Sequence, residues 1–239
     1  MSTVSTKQVH HAQATILAHN LELDSKMGGG LPVGSLTLIE GANGSGKSVL
    51  SQQILWGALC DGFSAALFTS ENSVSSMASQ MQKIDLDILD YLLLGKFRVF
   101  PMTLSHAGEQ ATTSLANALK SQKQRDLIVI DSLTQAVINT EDHSKIVRFF
   151  ERCKELCAEG ITIIVTLHSE PVSHNLVNTL RSMCDANLKL RVEEDGNRMV
   201  KTLEVSKVRG ASSTTGAIVG FEVEPGWGMR VIPISKARG

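Results

Sequence analysis

Apolar residues arrive in short, nearly unbroken runs along much of this chain. Ser35–Glu40 (SLTLIE), Ser64–Ser70 (SAALFTS), Lys96–Met102 (KFRVFPM), Asp126–Ser132 (DLIVIDS) and Ile161–Leu167 (ITIIVTL) are each too brief for a helix and bounded by polar or turn residues. Such runs predict strands buried on both faces, as in a parallel sheet. Helix-forming segments alternate with them: Val49–Leu59, the stretch SVSSMASQMQK after Asn72, Gln110–Gln124, and an amphipathic Ser144–Glu159 stopped by Gly160. Strands alternating with helices predict an α/β fold, a mostly parallel central sheet flanked by helices.

From Asn187 onward the period changes to two. Asn187–Glu193, Val200–Val208 and Ile218–Val223 alternate apolar with polar, and Asp195-Gly196-Asn197 is a hairpin signal. These segments predict a C-terminal antiparallel strand extension with one wet face. At the other end, residues 1–20 are polar and weakly periodic, which reads as an arm or marginal helix before a domain spanning 21–239. Leu21–Gly34, with its Gly-Gly-Gly and Pro, reads as a turn feeding the first strand or as a shaped loop beside a ligand.

Between the first strand and the first long helix stands GANGSGKS, Gly41–Ser48, which fits G-x-x-x-x-G-K-[ST] at every fixed position. Gly41, Gly44 and Gly46 allow a tight turn, so the amides of Ala42, Asn43, Ser45 and their neighbours can face a phosphate chain. Lys47 supplies a point charge and the Ser48 hydroxyl a ligand for Mg²⁺, while Val49 continues a helix whose N-terminus favours anions. The motif implies a nucleoside triphosphate site that uses Mg²⁺.

Three strand ends add candidate chemistry. Asp131 closes DLIVIDS, where a carboxylate can hold Mg²⁺ opposite Ser48. Glu71 follows FTS, where it either orients an attacking water or serves as an acid at a helix start. His168 follows ITIIVTL, where it either senses the terminal phosphate or makes a plain hydrogen bond. Lys207 and Arg209 leave a later strand for a Ser/Thr/Gly loop; this pair suits phosphate recognition or merely guards a sheet edge.

Composition removes several alternatives. The chain has 239 residues, 42% hydrophobic and 20% charged, with a net charge of −1, so no global basic field attracts nucleic acid. Cys60, Cys153, Cys157 and Cys184 are scattered, and no second Cys/His pair stands at zinc spacing. His10 and His11 are adjacent and would diverge on a helix, against a metal site. No apolar run reaches the ~20 residues of a membrane span and the start is not a signal sequence, so a cytoplasmic location follows, with any membrane association made through partners.

Taken together, GGGLPVGS, the P-loop, FTSEN, LIVIDSLT, KVRG and FEVEPGWGMRVIP resemble the RecA superfamily and, within it, the KaiC-like ATPases. The likeness covers about 21–233. A lone domain of this length is most similar to the archaellum accessory ATP-binding group. The resemblance implies a RecA-like core, ATP and Mg²⁺ as ligands, and Glu71 as the catalytic glutamate. It also implies that Lys207 and Arg209 match a KxR element reaching the γ-phosphate of a neighbouring subunit, hence a hexameric ring. The position of a second family glutamate holds Asn72, which points to slow hydrolysis or stable binding. The implied partners are the motor ATPase of the archaellum and a membrane platform protein.

Two other classes compete. A DNA-strand-exchange ATPase of the RecA/RadA kind would use the segment SEPVSHNLVNTLRSMCDA as a DNA loop, yet it carries one arginine, Arg181, and no aromatic to stack a base. A KaiC-like signalling ATPase would need a phosphoacceptor; Thr214 and Thr215 offer hydroxyls that nothing marks as acceptors.

Overall fold

The computed structural model describes residues 15–103, 110–195, 198–210 and 216–232. A two-residue strand β1 (Thr15–Ile16) precedes helix α1 (Leu21–Lys26), and β2 (Leu31–Pro32) pairs back onto β1. Then come β3 (Leu36–Gly41), α2 (Lys47–Cys60), β4 (Ala65–Thr69), α3 (Val74–Lys83), α4 (Leu89–Leu93) and β5 (Phe97–Pro101). The chain continues through α5 (Ala111–Ser121), β6 (Leu127–Asp131), α6 (Thr134–Ile138), α7 (His143–Ala158), β7 (Thr162–His168) and α8 (His174–Met183). It closes with β8 (Ala186–Asp195), β9 (Arg198–Val208), β10 (Ala217–Glu224) and β11 (Gly228–Ile232).

Nine strands form one sheet in the order β11-β10-β9-β8-β3-β7-β6-β4-β5. Six of them, β8 through β5, run parallel, and β9, β10 and β11 extend the β8 edge antiparallel. The four central strands β3, β4, β6 and β7 are buried along nearly their whole length because helices cover both faces. Successive residues feed opposite cores: Ile39, Leu67, Val129 and Ile164 pack with α2 and α3, whereas Leu38, Phe68, Ile128 and Val165 pack with α5, α7 and α8. This is the expected α/β architecture with its antiparallel extension.

Helix α2 is buried nearly all round, even at Ser51, Gln52 and Gln53, because it lies between the sheet and the chain's N-terminal segment. Residues 1–14, with His10 and His11, fall outside the described residues. Of the stretch read as an arm, Ile16 and Ala18 are fully buried, and Gln53 Nε2 donates to the Ala18 carbonyl at 2.8 Å. Gly57 makes this possible, since a Cβ there would run into the backbone of Leu17 and Ala18. Asn20 caps α1 through Leu23 N–H and donates from its amide to the Met229 carbonyl at 2.5 Å, fastening the segment to β11.

Among the described residues, seven short or peripheral elements escape the periodic pattern: β1, α1, β2, α4, α6, α8 and β11. Leu21–Lys26 is helical, within a stretch whose composition suggests a turn or a shaped loop; α8 fills the middle of the segment 169–186 that a DNA-binding loop would need; and β11 lies beyond the period-two segments.

Candidate nucleotide-binding site

Parallel strands β3, β4, β6 and β7 all end on one side of the sheet, and the polar residues that follow them gather there. Gly41 closes β3 and Ala42–Gly46 form the loop. Gly46 takes φ +100° as the N-cap of α2, a conformation that suits glycine; a Cβ there would also meet the Phe221 ring at 3.1 Å. Lys47, Ser48 and Val49 open the first turn of α2, with its unpaired amides facing the loop.

Lys47 Nζ donates to the Ala42 carbonyl at 2.7 Å, folding back over the loop. Burial lowers its pKa, while the carboxylates of Glu71, Asp131 and Glu170 oppose that shift. Asp131, at the end of β6, is 2% exposed. Its Oδ1 accepts from Thr166 Oγ1 at 2.7 Å and from Ser48 Oγ at 3.2 Å. Burial raises the Asp131 pKa, and the two hydroxyls and Lys47 pull it back. Glu71 lies just past β4, exposed, with Ser132 Oγ reaching its Oε1 at 3.5 Å. The neighbouring Asn72 side chain turns onto α3, where its Oδ1 accepts from Ser76 Oγ at 3.4 Å and Gln80 Nε2 at 3.2 Å.

His168 ends β7 with Nε2 3.1 Å from the Asn43 N–H and 3.0 Å from Glu170 Oε2. A single ring nitrogen cannot accept from the amide and donate to the carboxylate at once, so the imidazole satisfies one partner at a time. Its contact with the loop is through the amide of Asn43.

Lys47, Ser48, Asp131, Glu71 and His168 therefore meet at one end of the sheet. Lys207 and Arg209 do not. Asp185 N–H bonds the Leu36 carbonyl at 2.8 Å, and Lys207 and Arg209 sit beside Cys184 and Asp185, at the start of β3. Five residue steps along the strand lead from Leu36 to Gly41, about 17 Å at ~3.3 Å per step.

Three participants went unnoticed in sequence reading. Thr166 is one of two buried threonines in the otherwise apolar run that forms β7. Glu40 is an acid on a buried strand, 1% exposed, and such a group demands a partner. That partner is Arg181 of α8, whose Nε and Nη2 reach the two Glu40 oxygens at 2.5 and 2.7 Å. Arg181 also donates from Nη1 to Asn178 Oδ1 at 2.8 Å. Glu170, which answers His168, is the third.

A P-loop between strand and helix, with acids closing or following the neighbouring parallel strands, defines a RecA-type P-loop fold. The family described as the KaiC ATPase matches residues 21–236. The archaeal flagellar ATP-binding protein FlaH of Sulfolobus acidocaldarius is 31% identical over 92% of this chain and 97% of its own length. The crystal structure of the flagellar accessory protein FlaH from Methanocaldococcus jannaschii superposes with a TM-score of 0.83 at 22% identity, over 92% of this chain and 99% of that one. The circadian clock protein KaiC of Synechococcus elongatus is 25% identical, and the match spans 44% of its length. The chain belongs to the KaiC ATPase family and, within it, to the FlaH-type archaeal flagellar proteins.

Proposed function

We propose that this protein is an ATP-binding regulatory subunit of the archaellum motor, with at most slow hydrolysis. The observation that carries the reading is the convergence of Lys47, Ser48 and Asp131 at the end of β3, in a chain of the FlaH type. Lys47, whose Nζ donates to the Ala42 carbonyl, is the cation that would meet the β- and γ-phosphates. The Ser48 hydroxyl and the Asp131 carboxylate, 3.2 Å apart, are an all-oxygen pair suited to Mg²⁺. The ion would neutralise phosphate charge. Burial of Asp131 fits that role, because a desolvated carboxylate gains more from a cation than an exposed one.

Glu71 would orient the attacking water, and His168 would report on the terminal phosphate through the Asn43 amide it now faces. Turnover is expected to be slow, since Glu71 acts without a second acid: the Asn72 amide is engaged with α3. In a homo-oligomeric ring, Lys207 and Arg209 would reach the triphosphate of the neighbouring subunit, because their own P-loop lies at the far end of β3. The proposed partners are the motor ATPase and a membrane platform protein, met in the cytoplasm. Among the described residues no helix is long and apolar enough to cross a membrane.

A RecA/RadA-type reading has less support: Arg181 is committed to Glu40 and Asn178 and lies on a regular helix. Thr214 and Thr215, the hydroxyls a signalling reading would use, fall outside the described residues.

The direct test is calorimetry with Mg-ATP. A charge-assisted contact contributes about 1.5–3 kcal/mol, so Lys47→Ala should weaken binding roughly ten- to a hundredfold. Equal affinities would remove the P-loop from the argument. For assembly, Lys207→Ala with Arg209→Ala should fold normally yet abolish any preference for an ATP analogue over ADP in light scattering. If the double variant still assembles selectively on the analogue, the trans-acting role is wrong.

A further inference from the structure

The far end of β3 holds a second polar construction, built around Asp185. Its carboxylate is engaged on both sides: Oδ2 accepts from the Leu36 N–H at 3.1 Å and Oδ1 from Arg209 Nη1 at 3.2 Å. Its backbone is engaged as well, with its N–H donating to the Leu36 carbonyl at 2.8 Å and its carbonyl accepting from Arg209 N–H at 2.9 Å. Next to it the Cys184 carbonyl accepts from Lys207 Nζ at 2.6 Å. Residues 184–185 thus grip both cations at the point where β9 ends.

Arg209 and Arg181 make an instructive contrast. Arg181 spends Nε, Nη1 and Nη2 on Glu40 and Asn178. Among the described residues the Arg209 side chain bonds Asp185, and it is 57% exposed. A guanidinium has five N–H donors in a planar fork. With one directed at Asp185, the remaining donors on the exposed side can meet another anion. A long cation free on a strand end would lose rotamer entropy on binding. Asp185 removes part of that cost beforehand.

We infer that Asp185 is a positioning residue: bolted to the first residue of β3, it aims Arg209 at an anionic phosphate group presented by a second copy of this chain. The inference rests on the trans-acting role proposed above. One six-residue strand carries the P-loop at its end and the Arg209 cradle at its start.

A mutant cycle tests this, reading the protein concentration at half-assembly with a non-hydrolysable ATP analogue and with ADP. Asp185→Asn keeps an oxygen for Leu36 N–H but removes the charge facing Arg209. It should raise the concentration needed with the ATP analogue roughly two- to tenfold and leave the ADP value near that of wild type. In the Arg209→Ala background Asp185→Asn should add nothing, since the carboxylate acts through the guanidinium. If Arg209→Ala loses the ATP preference but Asp185→Asn keeps it, or if the two losses simply add, the positioning role is overturned and the trans-acting arginine survives. If Arg209→Ala itself keeps the ATP preference, the trans-acting reading falls and takes the inference with it. Should Asp185→Asn fail to fold, Arg209→Lys decides. Lysine lacks the fork needed to hold Asp185 and a phosphate together, so assembly as efficient as wild type would overturn the inference.

Discussion

Arg181→Ala would strand the Glu40 carboxylate beneath the P-loop. Glu40 is 1% exposed and immediately precedes Gly41, and both its oxygens are bonded to the Arg181 fork at 2.5 and 2.7 Å. Removing one member of a buried pair costs about 3–5 kcal/mol, because the other charge remains desolvated. The Arg181 side chain keeps 27% of its surface exposed, so water can enter the space it leaves, which favours the lower end, ~3 kcal/mol. For a chain of this length each kcal/mol shifts the melting midpoint by about 2–4 °C, giving a drop of roughly 6–12 °C. Replacing both partners by neutral groups, Glu40→Gln with Arg181→Met, should recover most of the loss. Urea denaturation with an unchanged slope gives the stability. Mg-ATP calorimetry should show weaker binding for the single variant, since Glu40 fixes the entry to the loop, and less weakening for the double. A single variant within 1 kcal/mol of wild type, or a double as damaged as the single, would refute the account of Glu40 as a buried charge held by Arg181.

Glu71→Gln should keep ATP affinity while lowering whatever hydrolysis exists, and Asn72→Glu should raise the rate; an unchanged rate in Glu71→Gln makes Glu71 only a residue at a helix approach. Asp131→Asn should weaken the Mg²⁺ dependence of ATP binding yet stabilise the nucleotide-free protein at pH 7. The sign follows from the raised Asp131 pKa: the folded state binds its proton more tightly than the unfolded chain, so ionisation works against the fold. That penalty is complete above the folded value and fades as pH falls toward the ordinary carboxylate value near 4, so the gain should shrink on acidification. Melting of both proteins at pH 7 and near pH 4, the ordinary carboxylate value, checks this; an equal gain at both pH values would assign it to something other than charge.

The sequence by itself determined the centre of this protein. Strands buried on both faces are predominantly apolar, so β3, β4, β6 and β7 stand out as runs, and the turn and charge a phosphate chain requires can be met by eight consecutive residues, Gly41–Ser48. Asp131 was legible for the same reason, as an acid ending an apolar run. Only the tertiary structure decided which polar groups meet. Glu40 and Arg181 are 141 residues apart in sequence, and Asn43 and His168 are 125 apart. Strand order brings each pair together, and periodicity carries no information about strand order. Neither α1 nor α8 announced itself, because a short helix built around a few buried leucines gives little signal until the surface it packs on is known. The separation of Lys207 and Arg209 from their own P-loop follows from β8 starting beside the first residues of β3 and β9 running back along β8. That register is a property of the folded sheet, set by hydrogen bonds between strands far apart in the chain.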